Sequence, residues 1–124
     1  MKPIRIAAAQ FEAKNADKEF NLTAMSRLVE DAVRQNADAV SFPEVCIPAY
    51  SFVRRESREA IHDLSETVPD GPSGQRLMAM SGDFGIPILA GLIERDGDQY
   101  FNTYVCVDGD QLVAKFRKLH AFIS

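Results

Sequence analysis

The sequence has 124 residues and a formal net charge of −4, and 46% of its residues are hydrophobic while 26% are charged. These values predict one soluble globular domain over residues 1–124, and the lack of a basic stripe argues against a nucleic-acid partner. No apolar run reaches the roughly 18 residues of a membrane span, and the N-terminal run lacks signal-peptide features, so we expect a cytoplasmic protein without a membrane partner.

The first third of the chain alternates between short apolar segments and one long amphipathic segment. Residues 4–10 and residues 37–42 each predict a short buried strand. Between them, residues 18–35 predict a helix, because apolar side chains recur at three- and four-residue spacing. Asp17 is suited to cap the start of this helix, and Asn36 is suited to the left-handed turn that ends it.

The rest of the chain predicts two helices and three strands. A short exposed helix is expected over residues 54–64, and Ser73 is suited to cap a longer helix that Gly85 ends. Three apolar segments predict strands, and Asp108-Gly109-Asp110 marks a hairpin between the last two: 86–93, 99–107 and 111–118. This order indicates an α/β fold with a mixed sheet.

Side-chain alternation along the last strand draws attention to Lys118. On one predicted face lies an apolar set that ends in a lysine: Leu112, Ala114, Phe116 and Lys118. Lys115 and Arg117 are expected to be solvated on the other face. Lys118 is therefore expected to emerge from the face that packs on the core.

Glu44 is the natural partner of this lysine. It follows a buried strand and shares a predicted face with Val40 and Phe42, and the carboxyl ends of strands are where α/β sheets bind ligands. We expect Glu44 and Lys118 to lie within direct or one-water reach, because a desolvated lysine needs a carboxylate to keep its charge. On alternation alone, a plain buried salt bridge or a lysine that snorkels to water explains the pattern equally well.

Several ordered blocks resemble the N-terminal half of the nitrilase, or carbon–nitrogen hydrolase, superfamily: "RIAAAQF", "AVRQNADAVSFPE", "FGIPILAGLIE", "YFNTYVCVDGD" and "FRKLH". The resemblance covers essentially the whole chain. It implies an αββα sandwich, of which this chain supplies about one half, namely one mixed sheet with helices. It also implies catalysis by a Glu–Lys–Cys triad without a metal or organic cofactor.

The resemblance assigns roles to the two residues singled out above. Glu44 in "FPE" matches the general base, and Lys118 in "FRKLH" matches the lysine that stabilises the tetrahedral intermediate. The nucleophilic cysteine is expected beyond residue 124, so the chain alone is expected to be inactive. The implied substrate is a small molecule with a non-peptide carbon–nitrogen bond, an amide or N-carbamoyl group rather than a nitrile, since "HAF" follows "RKL" where nitrile-cleaving members tend to carry Pro-Thr.

Four other residues with reactive side chains receive structural assignments. Cys46 lies close to Glu44, but a loop cysteine of this kind is typical of a small buried apolar group, and catalysis would require a thiolate. Cys106 is expected to pack within its strand. His62 is expected to be solvated and His120 to make local hydrogen bonds, and these two histidines and two cysteines lack the spacing of a zinc site.

Two further hypotheses remain beside the hydrolase. A truncated, inactive paralogue could act as a binding or assembly module, whereas a flavodoxin-like domain lacks a glycine loop after the first strand. Helices can cover only one face of the sheet, so the other is expected to expose an apolar patch and to favour a homo-oligomer or pairing with a missing C-terminal half. The apolar residues expected to face inward are Ile4, Ile6, Ala8, Val40, Phe42, Ile88, Ala90, Leu112, Ala114 and Phe116.

Overall fold

In the computed structural model, which describes residues 3–49 and 56–118, the chain forms a five-stranded mixed sheet with three helices. The strands are β1 (Ile6–Ala8), β2 (Ala39–Ser41), β3 (Ile88–Asp96), β4 (Gln99–Asp108) and β5 (Gln111–Arg117), and the helices are α1 (Lys18–Arg34), α2 (Arg58–Leu64) and α3 (Pro72–Phe84). The sheet order is β1-β2-β3-β4-β5; the first three strands are parallel, and β4 and β5 are antiparallel additions. The predicted α/β class is confirmed.

Helix α1 begins and ends as its local sequence predicts. The Asp17 side chain accepts a hydrogen bond from the backbone N–H of Phe20 at 3.0 Å, which satisfies one of the free donors of the first turn. Asn36 adopts a left-handed conformation with φ of 62° just after the helix. Both predicted boundary residues are therefore confirmed.

Helix α3 begins differently from the prediction. Gly71 is its N-cap and Pro72 occupies the first turn, where the missing N–H of proline costs nothing. Ser73 is not the cap, because its backbone N–H and hydroxyl both donate to the carboxylate of Glu66. Gly85 ends the helix in the left-handed conformation, as predicted, with φ of 65°.

The main core lies between the sheet and the two longer helices. Met25 and Val29 of α1 and Leu77 of α3 pack against Val40 and Ile88, and all five are fully buried. The opposite face of the sheet, called the open face below, is covered only in part. There Ile61 of α2 packs with Val45, Ile93 and Tyr100 in a second, smaller cluster.

A β-bulge in β5 overturns part of the predicted alternation. Val107 pairs with Leu112, but Cys106 pairs with Ala114, so Val113 is an extra residue without a partner. Leu112 still packs on the main core, whereas Phe116 lies on the open face and is 68% exposed. The expected inward positions of Ala114 and Phe116 are therefore wrong.

The same bulge turns Lys115 and Arg117 toward the helix-covered face. Lys115 pairs with Val105 and Arg117 with Thr103, and Val105 belongs to the main core. The expectation that these two cations are simply solvated is wrong, because both bind a buried carboxylate described below.

The prediction for β1 is also inverted. Ala7 pairs with Val40 in parallel register and packs with Ala9 against the main core. Ile4 and Ile6 are 75% and 62% exposed, so they are not buried on an inward face as expected. Ile6 and Phe116 instead give the open face an apolar character, because no element of the described chain covers them.

The remaining predictions fall partly outside the described residues. The helix expected over residues 54–64 is α2, which starts at Arg58, while residues 54 and 55 and His120 lie outside the described ranges. Over residues 3–49 and 56–118, no helix has the length and apolar character needed to cross a membrane.

Candidate active site

Glu44 and Lys118 meet at one edge of the open face. The ammonium nitrogen of Lys118 lies 3.7 Å from Oε1 of Glu44, so the predicted proximity is observed. The two side chains are 46% and 49% exposed, respectively, which rules out a plain buried salt bridge. Both remain accessible to a small molecule.

Glu44 owes its position to a turn that follows β2. Phe42 still donates its backbone N–H to Leu89 of β3, and Ile47 donates to Gly91 farther along the same strand. Between these anchors the chain turns, and Val45 adopts a positive φ of 49°. The turn ends the alternation of β2, so Phe42 is buried in the main core while Glu44 reaches the open face.

Gly91 lets this turn lie directly against β3. A Cβ atom at this position would clash with the backbone of Glu44 and Val45. The close approach therefore requires glycine, since any other residue would push the turn away. Gly91 was not recognised from the sequence as part of the site.

Asn102 of β4 contacts both members of the pair. Its side-chain amide donates to Oε2 of Glu44 at 3.4 Å, and its backbone carbonyl accepts the backbone N–H of Lys118 at 2.9 Å. The side chain is only 3% exposed, which restricts its rotamers. Asn102 lay inside the quoted "YFNTYVCVDGD" block, and a polar residue within that apolar strand was the available signal.

A cavity of about 430 Å³ opens beside the pair. The described residues that line it are Phe42, Glu44, Asn102, Tyr104, Phe116 and Lys118. The Tyr104 hydroxyl donates to the carbonyl of Phe42 at 2.6 Å and lies 2.9 Å from the Ser41 hydroxyl. Burial raises the pKa of Tyr104, so its phenol stays protonated and forms a polar part of the cavity wall.

Neither cysteine of the chain is among these lining residues. Cys46 is 4% exposed, and its Sγ packs 3.8 Å from the Gly91 carbonyl and 3.9 Å from the Met25 sulfur. Burial raises the pKa of Cys46 to about 11, which suppresses the thiolate that nucleophilic attack requires. Burial also raises the pKa of Cys106. The assignment of Cys46 as a buried packing residue agrees with this environment.

The other titratable groups singled out from the sequence lie elsewhere. His62 is exposed, as expected, but its Nδ1 also shares a hydrogen bond of 2.6 Å with the Tyr100 hydroxyl. Within the described ranges, no three His, Cys, Asp or Glu side chains cluster so that they could hold a metal ion.

Glu94 is the centre of an ionic cluster on the helix-covered face of the sheet. Its carboxylate accepts from Lys115 at 2.7 Å, from Arg117 at 2.8 and 3.0 Å, and from the Thr103 hydroxyl at 2.8 Å. Burial alone raises the pKa of Glu94, but the hydrogen bonds from Arg117, Lys115 and Thr103 outweigh it and lower the pKa to about 2. Hydrogen bonds to Glu94 and Asp96 in turn raise the pKa of Arg117. The sequence pattern does not indicate this cluster, because regular alternation along the last strand puts both cations on a solvated face.

Comparison with known proteins identifies relatives over almost the whole chain. The sequence model of the carbon-nitrogen hydrolase family matches residues 5–123. A nitrilase from Pyrococcus abyssi is 30% identical over 119 residues, which cover 96% of this chain and 44% of that protein. An omega-amidase from Mus musculus is 32% identical over 124 residues, which cover 98% of this chain and 42% of that protein. The chain thus spans less than half the length of these relatives.

Solved structures share the fold. An amidase from Nesterenkonia sp. superposes with a TM-score of 0.75 at 23% identity, covering 94% of this chain and 43% of the amidase. In a structure of a mutant of the amidase from Nesterenkonia sp. AN1, the acetamide moiety of fluoroacetamide is covalently added at the active site cysteine. At this identity the likeness shows a common fold.

Proposed function

The chain belongs to the carbon–nitrogen hydrolase family, and on that premise we propose that it carries the general base and the oxyanion-stabilising lysine of such an enzyme. Glu44 is the proposed base and Lys118 the proposed lysine. The observation that supports this assignment is their separation of 3.7 Å beside an open cavity, with both side chains half-exposed.

Energetics favour a functional over a structural role for the pair. Exposed ion pairs contribute only about 0.2–1 kcal/mol to stability, so a half-exposed pair at this distance adds little to the fold. The ammonium group of Lys118 has three N–H donors and the Glu44 carboxylate has two acceptor oxygens. Both therefore retain hydrogen-bonding capacity for a substrate.

In the proposed mechanism, a cysteine thiolate attacks the carbon of a small amide, N-carbamoyl compound or nitrile and forms a covalent intermediate. Glu44 takes the thiol proton, passes it to the departing ammonia or amine, and then activates water. The Lys118 charge opposes the oxyanion that develops on the attacked carbonyl. The cysteine is supplied from outside this 124-residue sequence, because Cys46 is buried with a raised pKa and Cys106 does not line the cavity.

An amide or N-carbamoyl substrate is the first candidate. The omega-amidase relative and the amidase neighbour support an amide, and the Pyrococcus abyssi nitrilase keeps a nitrile as the second candidate. Neither candidate calls for a metal or organic cofactor, because the charge of Lys118 and the proton transfers of Glu44 supply the chemistry.

Ligand titration of the 124-residue chain tests the proposed site without requiring turnover. We expect butyramide to shift the amide resonances of Asn102 and Tyr104, and both Glu44→Gln and Lys118→Met to remove that shift. Glu59→Gln, which changes an exposed carboxylate on α2, is the matched control and should bind as the original chain does. If butyramide and butyronitrile both leave these resonances unchanged, the assignment of this cavity as the substrate site is wrong.

Intact-mass analysis after treatment with fluoroacetamide tests the origin of the nucleophile. We expect no adduct on either cysteine of the isolated chain. An adduct on Cys46 would place the nucleophile inside the described chain and overturn this part of the proposal.

The second candidate function is that of an inactive module for assembly. It is supported by the exposed apolar side chains of Ile6 and Phe116 on the open face. This candidate predicts association without ligand shifts at Asn102 and Tyr104, so the same titration separates it from the first.

A further inference from the structure

Two registers of β5 would place Lys118 on opposite faces of the sheet. In the observed register, Val113 is bulged out and the strand continues with Cys106 opposite Ala114 and Thr103 opposite Arg117. Without the bulge, every residue after Leu112 would turn to the other face, because side chains alternate with a period of two. Lys118 would then point to the helix-covered face, away from Glu44.

The bulged residue does not stabilise this register by its own packing. Val113 is 60% exposed, whereas its neighbour Leu112 is packed on the main core. An extra residue in a ladder also leaves its backbone unpaired and disrupts the hydrogen bonding locally. Some other contact must therefore favour the bulged arrangement.

Glu94 supplies that contact from the helix-covered face. The bulge turns Lys115 and Arg117 toward this face, where both bind the Glu94 carboxylate, which is 2% exposed as a residue. In the register without the bulge, both cations would leave, and Glu94 would keep only the Thr103 hydroxyl. A buried carboxylate without its cations is strongly disfavoured, since desolvation is no longer offset.

We propose that Glu94 is a positioning residue whose buried carboxylate holds β5 in the bulged register and thereby places Lys118 on the face of Glu44. Glu94 itself does not line the cavity. The inference deepens the proposed function and rests on it, because the position of Lys118 matters for hydrolysis only if Lys118 is the catalytic lysine. The contact between the Asn102 carbonyl and the Lys118 N–H then completes the placement.

The test compares register and lysine position in variants of the 124-residue chain by nuclear Overhauser effects between protons of β4 and β5. Glu94→Leu should lose the Cys106–Ala114 and Val105–Lys115 pairs and gain Cys106–Val113 and Val105–Ala114 pairs. The proximity of the Lys118 side chain to Glu44 should disappear with them. Asp96→Asn is the matched control, because Asp96 contacts Arg117 at an exposed position, and it should keep the original register.

Deletion of Val113 provides a rescue that a purely structural role of Glu94 would not predict. Without this residue the regular alternation itself puts Lys115 and Arg117 on the helix-covered face and Lys118 on the open face. Glu94→Leu combined with the deletion should therefore restore the proximity of Lys118 to Glu44. A folded double variant in which Lys118 stays displaced would overturn the proposal.

A milder change covers the case in which Glu94→Leu does not fold. Glu94→Gln removes the charge but keeps one acceptor oxygen. This variant should show two sets of nuclear Overhauser effects between β4 and β5, one from each register. A single set that matches the original chain would overturn the proposal. These measurements report the position of Lys118 in the absence of ligand, so a negative result would leave the proposed function intact. If β5 has the bulged register but the chain does not bind butyramide, that result would count against the proposed function alone.

Discussion

Glu44 and Cys46 are two residues apart, yet their side chains lie on different sides of the chain. Glu44 lines the open cavity, whereas Cys46 is buried with Met25 in the main core. The turn through Val45, with its positive φ, separates them. The pair in "SFPEVC" therefore contributes one residue to the candidate site and one to the core.

This separation predicts that the Cys46 thiol reacts slowly with alkylating agents. At about pH 8, the rise of the Cys46 pKa from 9.0 to about 11 lowers its thiolate fraction about 100-fold, so iodoacetamide should alkylate it far more slowly in the folded chain than in urea. Peptide mapping by mass spectrometry measures both rates. Equal rates in the two states would show that Cys46 is accessible and reactive.

Replacement of Gly91 should displace the base. Gly91→Ala forces a Cβ into the backbone of Glu44 and Val45, and an overpacked site of this kind costs about 1–3 kcal/mol of unfolding free energy. Gly82→Ala is the matched control, because no atom lies within 4 Å of the added Cβ, and a helical glycine replaced by alanine gains about 0.5–1 kcal/mol. Urea unfolding of both variants measures the difference, and two changes of the same sign would contradict the close approach.

Removal of either member of the candidate pair should leave the fold unchanged. Glu44→Gln and Lys118→Met are each expected to shift the unfolding free energy by less than about 0.5 kcal/mol, because both side chains are half-exposed. Thermal unfolding checks this result. A large loss of stability would indicate that the pair is mainly structural.

The Glu94 cluster should give the chain an acid-sensitive component of stability. The folded-state pKa of Glu94 is about 2, below its ordinary value of 4.5, so the stabilisation is fully present above about pH 4.5 and is lost as the pH falls toward 2. Its size is at most on the order of 3 kcal/mol, since one pKa unit corresponds to about 1.4 kcal/mol. Urea unfolding should therefore show a smaller loss between these pH values for Glu94→Gln than for the original chain. An identical pH profile would contradict the strong pairing of Glu94.

The open face should promote association. Phe116→Lys is expected to shift sedimentation toward the monomer at low micromolar concentration, because Phe116 is a large apolar side chain on the uncovered face. Phe20→Lys is the matched control, since Phe20 is 50% exposed on α1 and should have no effect. A monomeric original chain that melts cooperatively and binds no dye for exposed apolar surface would contradict the prediction.

Local signals in the sequence were sufficient for the order and most boundaries of the elements. Asp17, Asn36 and Gly85 act on their own helix ends through short-range hydrogen bonds or backbone conformation, so tertiary contacts do not change their roles. The exception was Ser73, whose donors are taken by Glu66 from a distant part of the chain.

The proximity of Glu44 and Lys118 followed from the sequence, although the predicted faces did not. Both residues stand at the ends of strands, β2 and β5, that have β3 and β4 between them in the sheet. The turn after β2 lies against Gly91 of β3, and Asn102 of β4 contacts both residues, so the gap between the two strand ends is bridged. The expected shared face with Phe42 fails at the turn after β2, and the expected shared face with Leu112 fails at Val113. The two deviations together leave both side chains on the open face.

Only the tertiary structure decided which face each edge strand presents to the helices. The pairing of Ala7 with Val40 turns Ile6 outward. The bulge at Val113 turns Phe116 and Lys118 to the open face and lets Lys115 and Arg117 bind Glu94. A one-residue shift of register exchanges the two faces of a strand, and its energy depends on partners that are far away in the sequence. Composition and spacing thus determine that β5 is a strand, while a buried carboxylate on β3 determines where its last lysine points.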